Sequence, residues 1–148
     1  MLEVVYEVVS IKQVIKKRKA KHLLQRITEP EIAARIAQKE IGNEDREVFL
    51  VMVLNTKNEL VAIHRCHVGS LNASIAHPRE IFKAAILNNG ASIIVAHNHP
   101  SQNKTPSRED LEVTKRLAEA GRLLGIELLD HLIVTETDYY SFKAHSHF

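Results

Sequence analysis

Apolar and polar residues alternate along the chain with two periods. "EVVYEVVSI" (3–11) alternates imperfectly and is rich in valine, which predicts a strand. A helix is predicted over 29–42: Ile32, Ile36 and Ile41 form an apolar stripe, and Gly42 and Asn43 stop it. At its start Thr28 is a suitable N-cap, Pro30 fits the first turn, and Glu31 completes a capping box with Thr28. "EVFLVMVLN" (47–55) is nearly continuously apolar, as expected of a strand covered on both faces. The turn "TKNE" then predicts that "LVAIHRCHV" (60–68) returns as a hairpin. A second helix opens at Pro78 and runs to Gly90, a natural C-terminal glycine, and "ASIIVAH" is another buried strand. "SREDLEVTKRLAEAGRLLG" carries Val113, Leu117, Ala120 and Leu124 on one helical face. "IELLDHLIV" is a further buried strand, and "YYSF" forms a last edge strand after the turn "TETD".

The order β-α-β-β-α-β-α-β-β implies an α/β fold, a three-layer α/β/α sandwich around a mixed central sheet. Sites in such sheets form at the carboxyl ends of strands. "SIIVA" ends there in "HNHP", so His97 and His99 occupy that position.

Composition narrows the class. At 148 residues and 45% hydrophobic, the chain suits one compact domain, with residues 1–27 as an N-terminal strand and basic segment and 28–143 as the core. No apolar run approaches the ~20 residues needed to cross a bilayer. The N-terminus lacks the basic-then-apolar order of a signal peptide. A single cysteine, Cys66, excludes an internal disulfide. These features together predict a cytoplasmic protein. The net charge of +2 points to no partner, but the "KKRK" run Lys16, Lys17, Arg18 and Lys19 could meet nucleic-acid phosphates. The plainer reading is a solvated loop after the first strand. Exposed sheet edges leave room for a homodimer.

Side chains two apart on a strand point the same way, so His97 and His99 can aim two imidazoles at one point. Imidazole is a common zinc ligand, and a catalytic zinc takes three protein ligands and keeps one position open. Asp110 can return to the same point, because the loop 100–106 is long enough to bend back. A rival reading is compatible with this one. "SRED" is also a capping box in which Ser107 and Asp110 simply start a helix, and a His-x-His pair alone can be incidental. Glu47, at the head of a buried strand, is a candidate general base or merely a strand-end glutamate in solvent; Glu44 is its neighbour.

The pattern Glu47…His97-x-His99-x7-Ser107-x2-Asp110 resembles the JAMM motif of JAB1/MPN-domain metalloproteases. "AHNHPSQNKTPSREDLEVTKRLAEAGRLLGIELLDHLIV" and "GSLNASIAHPREIFKAAILNN" resemble the RadC family within that group. The resemblance implies the cytidine-deaminase-like α/β/α sandwich of JAB domains. It also implies Zn2+ bound by His97, His99 and Asp110, Glu47 as general base, and Ser107 assisting an oxyanion. The implied activity is a zinc metallopeptidase hydrolysing a peptide or isopeptide bond in an unidentified peptide or protein substrate. Two departures stand out. Many RadC-like proteins have Ser-Gly-Asp/Asn after His-x-His-Pro, where this chain has Ser101-Gln102-Asn103, which predicts a stiffer or differently shaped loop. Full-length relatives carry a helix-hairpin-helix region. Here the basic run alone would support the alternative class, a DNA-repair-associated nucleic-acid-binding module with a structural or vestigial metal site.

Other clusters have plainer readings. His64 and Cys66 share a strand face that His67 opposes. His145 and His147 belong to a loose tail. Asp130-His131 reads as a hydrogen-bonded structural pair able to support the site from behind its ligands.

Overall fold

The structure, a computed structural model, describes residues 1–70 and 76–148; residues 71–75, within the quoted segment "GSLNASIA", lie outside it. The elements are α1 (Pro30–Ile41), β1 (Val48–Leu54), β2 (Leu60–Val68), α2 (Pro78–Ile81), α3 (Lys83–Leu87), β3 (Ser92–Asn98), α4 (Arg108–Leu124), β4 (Glu127–Val134) and β5 (Tyr139–Ser141), with a short 3-10 turn at Lys21–Leu23. The strands form one mixed sheet in the order β2-β1-β3-β4-β5. β3 and β4 are parallel, joined by the α4 crossover, and the other neighbours are antiparallel.

Strands β1 and β3 are buried along their whole length, as their unbroken apolar runs require. Side-chain alternation then splits the core in two. Val48, Leu50, Met52 and Leu54 face α1, packing with Ile94, Ala96, Leu132 and Val134 against Ala33, Ile36, Ala37 and Ile41. Phe49, Val51 and Val53 face the other way, with Ile93 and Val95 against Phe82, Ala85, Val113 and Leu117. The α/β/α sandwich is therefore present, with α1 on one face and α2, α3 and α4 on the other.

Four local expectations change. Residues 3–11 form no strand, and Val4, Tyr6, Val8 and Ile11 are all exposed. Alternation supplies a suitable surface but not a partner edge, and no strand pairs with this segment among the described residues. The helix α1 is capped by Glu29, not by a Thr28 capping box. Pro30 at its first position pushes the preceding residue to extended backbone, so Glu29 becomes the cap. The helix expected from Pro78 to Gly90 breaks at Phe82 into α2 and α3. There Asn89, not Gly90, takes the left-handed conformation (φ 51°). Gly90 is small for a different reason: a Cβ would lie 2.5 Å from Val53 Cγ1. Finally, the C-terminus is held in place. Tyr140 stacks on His145 at 4.1 Å between centroids, and its hydroxyl pairs with His147 Nε2 at 2.7 Å.

The basic run is only partly free. Arg18 grips the buried Glu40 of α1 through Nη1–Oε1 (2.5 Å) and Nη2–Oε2 (3.1 Å), and His22 Nε2 meets Oε2 at 2.7 Å. Burial alone would raise the Glu40 carboxyl, but the Arg18 and His22 hydrogen bonds outweigh it and hold the group below its ordinary value. Lys16, Lys17 and Lys19 remain exposed. No helix of the described residues is long and apolar enough to cross a membrane.

Candidate metal centre

The last residues of β3 and the first turn of α4 meet at one point. His97 Nε2 lies 3.1 Å from His99 Nε2 and 3.1 Å from Asp110 Oδ1, and His99 Nε2 lies 3.3 Å from Asp110 Oδ2. Donors bonded tetrahedrally to a zinc ion at ~2.0–2.1 Å stand about 3.3 Å apart. The spacing is close to what such an ion needs, and two imidazoles with one carboxylate are a donor set that suits zinc. They are the one group among the described residues able to hold a metal. His97 is 1% exposed and Asp110 3%, while the half-buried His99 forms the solvent side of the cluster.

The capping-box reading of Asp110 is realised. The Ser107 side chain accepts from Asp110 N (3.1 Å), and Asp110 Oδ2 accepts from Ser107 N (2.8 Å), which is the capping box of α4. The same carboxylate faces both histidines. Burial would raise the Asp110 carboxyl, yet the His97 and His99 rings facing it, together with the Ser107 N–H, hold it well below the usual carboxylate range. His99 shifts the opposite way. Burial would lower it, but the Asp110 carboxylate, the Asn103 carbonyl and the Glu47 charge together raise it.

The ring nitrogens remote from the cluster also have partners. His99 Nδ1 donates to Asn103 O at 2.7 Å, which leaves its Nε2 as a lone pair facing the cluster. Just before Asn103, Gln102 adopts the left-handed conformation (φ 66°), at a cost of about 1 kcal/mol for a residue with a Cβ. Its side-chain oxygen accepts from Glu136 N at 2.8 Å, fastening the loop to the β4–β5 turn.

Behind His97 stands His131 of β4, with Nε2 2.8 Å from His97 Nδ1. The ring is fully buried and stacks on Phe142 at 4.5 Å between centroids. Burial pushes His131 down, and the adjoining His97 adds to the effect. Thr114 of α4 closes the far side against His131 Nδ1. The expected Asp130–His131 side-chain pair does not form. Asp130 instead accepts from His131 N, Lys143 N and Ser141 Oγ, holding β5. Adjacent strand residues point to opposite faces, so only one of the two could reach the site.

Asn98 does turn away from the ligands, but it is not idle. It is 0% exposed, accepts from Val48 N through Oδ1 (2.7 Å) and donates Nδ2 to Arg46 O (2.9 Å) and Glu44 O (3.3 Å). These bonds grip the backbone on both sides of Glu47. Antiparallel pairing of Phe49 with His97 sets the head of β1 beside the end of β3. The charge of Glu47 is among those felt at His99.

His64, Cys66 and His67 are not among the groups of described residues that could hold a metal ion. A bulge in β2 opposite Phe49 and Leu50 puts His67 opposite Phe49, on the face where Cys66 packs, rather than on the opposing face. Arg65 donates across the α1 face to Glu40 O at 2.7 Å.

An α/β/α sandwich that closes a His-x-His strand end against a helix-capping aspartate, a group that could hold a metal ion, is the arrangement that the resemblance to JAB domains implies. Similarity to known sequences is in accord: the RadC-like JAB domain pattern matches residues 27–147. The chain belongs to the RadC-like JAB domain family. It is 49% identical over 121 residues to a UPF0758 protein of Alkaliphilus metalliredigens strain QYMF, covering 82% of this chain and 52% of the relative. A UPF0758 protein of Geobacillus sp. strain WCH70 is 52% identical over 117 residues (79% and 52% covered). One from Rubrobacter xylanophilus is 56% identical over 105 residues (71% and 46% covered). The chain thus spans about half the length of the curated relatives it matches.

Proposed function

We propose that this domain is a zinc-dependent hydrolase of JAMM type that cleaves a peptide or isopeptide bond. The observation that carries the reading is the convergence of His97, His99 and Asp110 on one point, with Glu47 near enough to act electrostatically on His99. A zinc ion held by these three residues would polarise a carbonyl and lower the pKa of water. Glu47 accepts the proton of the attacking water and returns it to the leaving amine. Ser107 Oγ already accepts from Asp110 N, so its own hydrogen is available for the developing oxyanion. The closed back wall of His131, Phe142 and Phe49 confines the substrate to the solvent side of the cluster.

The test is metal content and amide cleavage in parallel. Purified wild type should carry about one zinc per chain, lost in His97→Ala and Asp110→Ala. Glu47→Gln should keep the metal and lose cleavage of a peptide library by about 100-fold or more. A wild type holding no more zinc than the Ala variants would end the proposal.

The second reading, a nucleic-acid-binding module with a structural metal, draws on the exposed Lys16, Lys17 and Lys19. It is the weaker one, since Arg18 is committed to Glu40. It requires DNA affinity that falls steeply with salt, survives Glu47→Gln and disappears on charge reversal of those lysines.

A further inference from the structure

The hydrogen bonds behind His97 can be followed proton by proton. Thr114 Oγ1 has one hydrogen and donates it to the Asp110 carbonyl oxygen, 2.8 Å away. The contact between Thr114 Oγ1 and His131 Nδ1 must then be donated by the imidazole. His131 therefore carries its hydrogen on Nδ1, and as a neutral ring it has only a lone pair on Nε2. That lone pair lies 2.8 Å from His97 Nδ1, which must supply the hydrogen. His97 is left with an unprotonated Nε2, the atom that faces His99 and Asp110. The circuit starts at the backbone of Asp110 and ends at its carboxylate.

We propose that Thr114 and His131 are positioning residues that set the His97 tautomer required for metal binding. Neither touches the cluster's centre. Without the threonine acceptor, His131 is free to turn its hydrogen to Nε2, and His97 would then carry its own on the ligand atom. His99 needs no such relay, because a backbone carbonyl, which can only accept, fixes it directly. His97 lies two residues deeper along the same strand end, where its Nδ1 meets the His131 ring, a side chain that can both donate and accept. The inference rests on the metal-site reading above and deepens it.

The test uses the full chain with imidazole nitrogens labelled by 15N. In metal-free wild type, long-range 1H–15N correlation should place the His97 hydrogen on Nδ1 and the His131 hydrogen on Nδ1. Zinc affinity is measured by competition with a chromophoric chelator. Thr114→Val removes the hydroxyl at nearly constant volume, and should weaken zinc by about 10- to 100-fold and move the His97 hydrogen. Thr114→Ser, which restores the hydroxyl, should recover the affinity to within a few-fold and restore the tautomer. A purely structural threonine would alter folding in Thr114→Val without moving the hydrogen. A wild-type His97 protonated on Nε2, or Thr114→Val binding zinc as tightly as wild type, would overturn the proposal. If Thr114→Val does not fold, the wild-type tautomers still decide the matter. A wild type that binds no zinc would overturn the metal-site reading instead, and the nitrogen spectra would judge the circuit separately.

Discussion

Asn98 offers the sharpest check on how the site is built, because its side chain is spent entirely on the backbone around Glu47. Asn98→Ala removes an acceptor from Val48 N and a donor from two carbonyls. The losses are unequal. Val48 is 4% exposed, so its N–H would be stranded away from water, at a cost of about 1–3 kcal/mol. Glu44 and Arg46 are exposed, and their carbonyls can recover water, so they add little. A total near 2 kcal/mol should lower the melting temperature by roughly 4–8 °C for a chain of this size. Asn98→Asp keeps the acceptor but sets a buried charge against two carbonyl oxygens, so it should be worse than alanine at neutral pH. Differential scanning calorimetry reads both. Under the proposed chemistry, metal-loaded Asn98→Ala should retain zinc yet lose more activity than its unfolded fraction explains, since Glu47 is no longer gripped from both sides. A melting temperature within about 1 °C of wild type, or an aspartate variant more stable than the alanine one, would refute this account of Asn98.

Further outcomes follow from other contacts. Glu40 is held below its ordinary value in the folded protein, so its contribution is full above ~4.5, the unfolded value, and is lost as pH falls through the folded one. The stability gap between wild type and Arg18→Gln, measured by urea denaturation, should therefore be large at pH 7 and close on acidification; a gap constant down to pH 3 would contradict it. Gly121→Ala should destabilise although alanine favours helix by about 1 kcal/mol, because its Cβ would sit 2.5 Å from Ile126 O. Chemical denaturation showing a net gain would mean that α4 can shift off β4 at little cost.

The layers, the hairpin, the α4 capping box and the ligand triad were legible because each depends on short-range pattern. Apolar runs fix burial, and His-x-His on a strand needs only a period of two. What escaped needs knowledge of which strands lie side by side. His131 is one of several histidines until β4 is known to run parallel to β3, which puts it behind His97. Asn98 looks like a spacer until β1 is seen to arrive antiparallel. Thr114 reads as one polar position in an amphipathic helix. The segment 3–11 misled for the converse reason: it has the right alternation but no neighbour. Gln102 shows that turn geometry can persist without the residue best suited to it, when a side-chain bond offsets the strain.

His97, His99, Asp110, Thr114 and His131 all belong to the single β3–α4–β4 crossover, whereas Glu47 arrives from the separate β1–β2 hairpin. Under the proposed chemistry, the ion cradle and the proton acceptor are thus two modules with a seam stitched by Asn98. Drift in the hairpin would then retune or silence turnover while leaving the cradle intact, so ion capture without cleavage would be a short evolutionary step away.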